Sequence, residues 1–166
     1  MNTAATVSGV VQALENLNGR KPCKKTLQKI FYLIEEAGDK IGFDYTIHFY
    51  GPYSADLDYE IQNLIGQGTL TIEYTKYGHF ISAANKDEGN QPELDEVQKS
   101  VIENFGTMTA SELELLATAL FVQRNTEHAN ADETDNIVFG VKRIKGTKYS
   151  DTQIKDAIKK LAVNYF

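Results

Sequence analysis

The 166-residue chain predicts a mainly α, α+β fold: a winged-helix-like domain with a small β hairpin over 1–84, and a helical subdomain packed on it over 93–166. Three observations predict this. The first half runs helix, helix, strand, helix, hairpin, an order close to that of a winged helix. The stretch NKDEGNQP at 85–92 gathers turn-forming and charged residues and reads as a linker. Beyond it the apolar residues recur with the helical period.

The first helix covers Thr3 to Asn18. Val7, Val10, Val11, Leu14 and Leu17 recur along one stripe, and Asn18-Gly19 supplies the stop. GRKPCKK follows as a basic connector. A second helix runs from Lys24 to Lys40, buries Leu27, Ile30, Phe31 and Ile34, and ends at Gly38 and Gly42. The run YTIHFY alternates β-branched and aromatic residues, as a short strand does, and Gly51-Pro52 breaks it. Ser54 is a good cap for a third helix. Asp56 and Asp58 sit in its first turn, where the helix dipole favours acids, and Gly66 and Gly68 close it. Leu70 to Tyr74 and His79 to Ala83 form the arms of a hairpin, with Lys76-Tyr77-Gly78 at its tip. A fourth helix covers Glu93 to Phe105. The fifth, to Thr126, opens on MTASEL, in which Thr109 and Glu112 form a capping box and Met108 and Leu113 a hydrophobic staple. An acidic loop, EHANADETD, leads to a sixth helix over Glu133 to Lys145. Ser150 and Gln153 then cap a seventh, which carries Ile154, Ile158 and Leu161 on one face.

Composition narrows the function. A net charge of −6 weighs against a general nucleic-acid binder but leaves room for a local basic patch. The single cysteine, Cys23, excludes an internal disulfide and fits a reducing compartment. No apolar run has the length of a membrane span, and the N-terminal stretch lacks a basic n-region and carries Glu15. A cytoplasmic protein without a signal peptide or membrane anchor is expected.

Catalytic chemistry finds little support. His48, His79 and His128 lie in three different elements without metal-ligand spacing, and one cysteine cannot build a thiolate zinc site. Pairing of the strand with the wing would bring His48 and His79 together, but two partly exposed strand histidines are the plainer reading. Cys23 stands among Lys21, Lys24 and Lys25, which favour a thiolate, yet nothing supplies an oxyanion hole or an orienting acid. GQGTL lacks the Lys-Ser/Thr of a phosphate loop and follows a helix instead of opening one. No enzyme, cofactor, metal or small-molecule substrate is indicated.

Partner classes remain. The candidate nucleic-acid contacts are Lys24, Lys25 and Lys29 at the entry to the second helix, Lys76 at the wing tip, and Lys142, Arg143, Lys145 and Lys148 around the turn between the last two helices. The third helix, which would enter the major groove of DNA, carries Asp56, Asp58 and Glu60 with no compensating base. Phosphates flanking the groove would repel it. Tyrosines crowd the same region, and interfaces favour tyrosine. Tyr50, Tyr53, Asp56, Tyr59 and Glu60 are therefore the candidate protein contacts.

KKTLQKIFYLIEEAG followed by HFYGPYS resembles the YwgA-type uncharacterised winged-helix proteins of bacteria and archaea, which have a K-x-L-Q-K-x-x-Y-L helix and a Y-G-P-Y-S turn. ELELLATALFV and VKRIKGTKYSDTQIKDAI extend the likeness into the second half. A weaker resemblance, through L-Q-K-x-x-Y and the Gly-Pro turn, is to the Panacea antitoxin domain. Neither resemblance implies a catalytic set. The expectation is a non-enzymatic regulatory or adaptor protein, with a protein partner or a homodimer as its contact. The alternatives are a DNA-binding transcriptional regulator and an antitoxin-like protein.

Overall fold

The computed structural model describes residues 2–84, 93–126, 133–164 and 166. The expected linker at 85–92, and residues 127–132 of the acidic loop with His128, lie outside them. Seven helices carry the described chain: α1 (Thr3–Asn18), α2 (Lys24–Glu36), α3 (Ala55–Gly66), α4 (Glu96–Phe105), α5 (Ala110–Asn125), α6 (Glu133–Lys145) and α7 (Asp151–Val163). Two antiparallel hairpins interrupt them: β1 (Thr46–His48) with β2 (Gly51–Tyr53), and β3 (Leu70–Thr75) with β4 (Gly78–Ala83). The result is a mainly helical α+β fold with winged-helix-like features. No described helix is long and apolar enough to cross a membrane.

Most helix ends lie where the residues place them. Asn2 caps α1 and Gly19 stops it in the left-handed conformation. Ser54 caps α3 through Leu57 N–H. Capping boxes open α5 (Thr109 and Glu112) and α7 (Ser150 and Gln153). α4 starts at Glu96, later than expected, because Asp95 and Gln98 form a third capping box there. α2 stops at Glu36, four residues short of Lys40. Ala37 is its cap, and Gly38 takes a positive φ of 118° that helical backbone does not allow. The Glu35 carboxylate then accepts the N–H groups of Gly42 and Phe43 at 2.9 and 2.7 Å and turns the chain back.

One strand assignment differs from the sequence expectation. Gly51-Pro52-Tyr53 does not break the strand but is itself β2, paired to β1 through Thr46 with Tyr53, Ile47 with Pro52 and His48 with Gly51. The pairing is permitted because β2 is an edge, where proline's missing N–H costs no ladder bond. The wing β3–β4 does not pair with β1. Its neighbour is the connector between α1 and α2, where Cys23 bridges Phe80 and the Ile81 N–H donates to the Pro22 carbonyl at 2.9 Å. His48 and His79 therefore belong to separate sheets. His48 makes a tilted ring contact with Tyr53, and His79 meets Tyr74 edge to face.

The core is one continuous cluster reaching from Val7 to Leu161. Its axis is α5, buried nearly all round from Leu113 to Leu120 and packed against α2, β2, α6 and α7. Gly140 lets α6 approach α5: a Cβ there would lie 2.5 Å from a methyl of Val122. The buried stretch has no solvated face for a charge, yet it carries Glu114, in the second turn of α5.

Candidate functional site

The site is built where α2 grips the β1–β2 hairpin. Gln28 is buried inside the apolar stripe of α2. Its amide donates to the Ser54 carbonyl at 2.9 Å and accepts the Ser54 N–H at 2.8 Å, pairing with the backbone as a second strand would. Lys29, only 3% exposed, donates to the Pro52 carbonyl at 2.9 Å. Gly51, at φ 95°, lies against α5, where a Cβ would meet Thr118 Oγ1 at 3.0 Å and Lys29 Cε at 3.4 Å. The two quoted motifs, one on α2 and one in the hairpin, are thus two halves of one clamp.

A second lysine holds the hairpin from the other side. Lys145, at the end of α6, donates to the Phe49 carbonyl, with its side chain 3% exposed. It also lies 3.7 Å from the Glu114 carboxylate, which takes Lys148 at 2.6 Å and the Tyr149 hydroxyl at 2.5 Å. Burial pushes the Glu114 pKa up, but the hydrogen bonds from Lys148 and Tyr149, with the nearby ammonium groups, outweigh it and hold the carboxyl below its usual range. Burial lowers Lys145, against the pull of Glu114. It raises Tyr149, and the bond to Glu114 adds to that rise.

Burial also lowers the Lys29 pKa from 10.5 to about 8, with Glu114 opposing and Lys145 and Lys25 assisting. Below that value both folded and unfolded chains are protonated, and the burial penalty is fully felt. Between about 8 and 10.5 the unfolded chain binds more protons, so this group's contribution to stability improves as pH rises. Replacing Lys29 by Met removes the titration. The stability of the variant relative to wild type is expected to fall steadily from pH 8 to 10.5, read by denaturant unfolding at each pH.

Removing one clamp has a local cost as well. Gln28→Ala leaves the buried Ser54 N–H and carbonyl without those partners, and a loss of about 2 kcal/mol is expected in urea unfolding. A loss no greater than that of an exposed Gln→Ala control would show that water replaces the amide.

A cavity of about 290 Å³ opens beside the clamp. Lys24, Lys25 and Lys29 line it with one carboxylate, Asp58, and the rings of His48, Tyr50 and Tyr53 form its aromatic walls. Lys24 pairs with Asp58 at 2.6 Å, and the Lys25 ammonium lies 3.9 Å above the Tyr50 ring. Burial raises the Tyr53 pKa, and its contact with Asp58 reinforces the shift.

The candidate protein contacts divide by burial. Tyr59 is 69% exposed, Asp56 and Tyr50 are exposed, and Tyr53 and Glu60 are half-buried. Of the candidate nucleic-acid contacts, Lys29 and Lys145 are not surface charges: their ammonium groups serve hairpin carbonyls. Lys142 pairs with Asp151, Lys148 with Glu114, and Lys24 with Asp58. Lys25 and Lys76 lie over tyrosine rings, and Arg143 is 6.0 Å from the Phe139 ring centroid. Sequence reasoning missed Gln28 and Glu114. The signal was a polar side chain inside an apolar run, TLQKIF in one case and LELL in the other.

No family model matches the chain. Over 142 residues it is 27% identical to the uncharacterized protein YwgA of Bacillus subtilis (strain 168), an alignment that covers 81% of this chain and 82% of that protein. That similarity supports the YwgA-type resemblance, while the likeness to the Panacea antitoxin domain rests on its quoted residues alone.

Proposed function

We propose that the protein is a non-enzymatic regulatory or adaptor protein that binds another protein chain through α3 and the two hairpins. The observation that carries this reading is a set of large aromatic side chains exposed on those neighbouring elements. Phe49 and Tyr50 project from the β1–β2 turn, Tyr59 from α3, and Tyr74 and Tyr77 from the wing, with Tyr77 80% exposed. Isolated exposed apolar residues need no explanation, but five aromatics on elements that follow one another in the chain, with Asp56 and Glu60 among them, fit an anchor-and-rim surface. A partner with basic groups around an apolar centre is the complement, and a second copy of this chain is included.

A DNA-binding transcriptional regulator is the alternative, favoured by the exposed Lys142 and Arg143 near the end of α6. The internal partners of the other basic side chains speak against it, as does the net charge. Light scattering across a concentration series, run beside retention of a random DNA pool at low and high salt, tests the two. The protein-contact reading expects self-association, or a stable complex with a co-purified chain, that Tyr59→Ser with Tyr77→Ser weakens. A monomer at every concentration that retains selected DNA sequences would contradict it.

A further inference from the structure

The cavity beside the clamp holds positive charge that the protein itself does not balance. Three lysines line it against one aspartate, in a chain whose net charge is −6. Asp58 is already taken by Lys24 at 2.6 Å. Lys25 has the face of Tyr50 for a partner. Lys29 is the sharper case. Its ammonium is buried, and among the described residues its hydrogen-bond partner is one backbone carbonyl, that of Pro52. The nearest carboxylate in charge terms, Glu114, is engaged by Lys148, Tyr149 and Lys145. A buried ammonium with one neutral acceptor is costly, because its lost hydration is not replaced. A ligand anion in the cavity would replace it.

We propose that this cavity is a binding site for a small phosphorylated organic molecule, with its phosphoryl group held by Lys25 and Lys29 and its body against the rings of His48, Tyr50 and Tyr53. Two unbalanced ammonium groups match the charge of a phosphate monoester, roughly −1.5 to −2 near neutral pH. A carboxylate would balance only one. The volume of about 290 Å³ lies just below the usual range of ligand cavities, roughly 300–1,000 Å³, and exceeds the needs of a bare phosphate. The aromatic walls give the surplus space an apolar, stacking character. Gly51 and the hairpin form the wall opposite α2, so the clamp that orders the hairpin also shapes the site. Burial, opposed by Glu114, holds the Lys29 pKa at about 8, so its ammonium is still charged near neutral pH. The inference shares Tyr50 with the proposed protein contact but rests on different observations, so either can fail without the other.

Titration calorimetry on the full chain tests it with four probes: adenosine 5′-monophosphate, phenyl phosphate, inorganic phosphate, and adenosine as the uncharged control. At least one monoester is expected to saturate the protein below millimolar concentration, with inorganic phosphate weaker and adenosine silent. Lys29→Met, which removes the buried charge and is expected to fold, should weaken that monoester about tenfold or more. Lys25→Ala, at the surface, should weaken it about fivefold with the thermal melt unchanged. The proposal is overturned if no monoester saturates at millimolar concentration, if adenosine or inorganic phosphate binds as tightly, or if both variants bind like wild type. A tyrosine-phosphorylated peptide binding far more tightly than phenyl phosphate would reassign the site to a phosphoprotein and overturn the small-molecule assignment.

Discussion

Glu114→Ala is expected to cost about 3–5 kcal/mol of folding stability, the largest effect of any single side chain in the polar network. The carboxylate is buried in α5 and is the common acceptor for Lys145, Lys148 and Tyr149. Without it, Lys145 keeps a buried ammonium with only the Phe49 carbonyl to serve, and the Tyr149 hydroxyl keeps the weaker bond to the Ser111 carbonyl at 3.2 Å. The penalty comes from the stranded charge, not from the lost attraction. Lys148→Ala, which removes a half-exposed partner and strands nothing, should cost about 1 kcal/mol or less. Guanidinium unfolding of the two variants beside wild type reads the difference, and equal losses would show that Lys145 finds solvent when its partner goes.

Gly51→Ala is the second large effect, with an expected loss of about 2–4 kcal/mol in the same measurement. Two causes add. The φ of 95° is one that alanine adopts only under strain, and the new methyl would stand 3.0 Å from Thr118 Oγ1. Thr118 cannot easily retreat, since it is fully buried and its hydroxyl donates to the Glu114 carbonyl at 2.7 Å. A double-mutant cycle with Thr118→Ala separates the two. The contact part should be relieved in the double variant and the backbone part should remain. Full rescue would place the whole cost in the contact, and no rescue would place it in the backbone.

These effects explain how much of the structure could be read from residues alone. Helices were legible because their signals are local. The apolar stripe of α1 as far as Leu14 (Leu17, expected on it, is 45% exposed), the Ser54 cap and the boxes at Thr109 and Ser150 each lie within a few residues of what they determine. Tyr50, Tyr53, Asp56, Tyr59 and Glu60 were grouped as candidate contacts on equally local grounds. They sit on one short stretch, and the charges of α3 made a DNA-reading helix physically poor.

What was not legible depends on long-range partners. Gly51-Pro52 has the composition of a turn, and only the surrounding clamp makes it a strand. Lys29 reaches it from 23 residues away and Lys145 reaches its neighbour from 96. No local pattern encodes either contact. The same two lysines looked like surface charge for a nucleic-acid backbone beside their basic neighbours, because sequence shows a charge but not its burial. The wing's neighbour was not legible for a related reason. Pro22 and Cys23 supply one backbone bond and one bridge, too short a pairing to leave a period-two pattern.

The clamp and the exposed aromatics belong to one account. Fixing the hairpin carbonyls from α2 and α6 orders the turn that presents Phe49 and Tyr50, and the Ser54 cap set by Gln28 orients α3 and Tyr59. Rigid aromatic anchors lose little entropy on binding. The buried polar network is therefore read as support for a contact surface, at a cost in stability that a purely apolar core would not carry.

Site-specific photo-crosslinking in cells tests that reading most directly. A benzophenone amino acid is placed at Tyr59 or Tyr77 in turn, and at Lys155 on α7 as the control. The account predicts discrete protein adducts from Tyr59 and Tyr77, with none from Lys155. Adducts from Lys155 alone, or none at Tyr59 and Tyr77 while DNA is recovered, would contradict it.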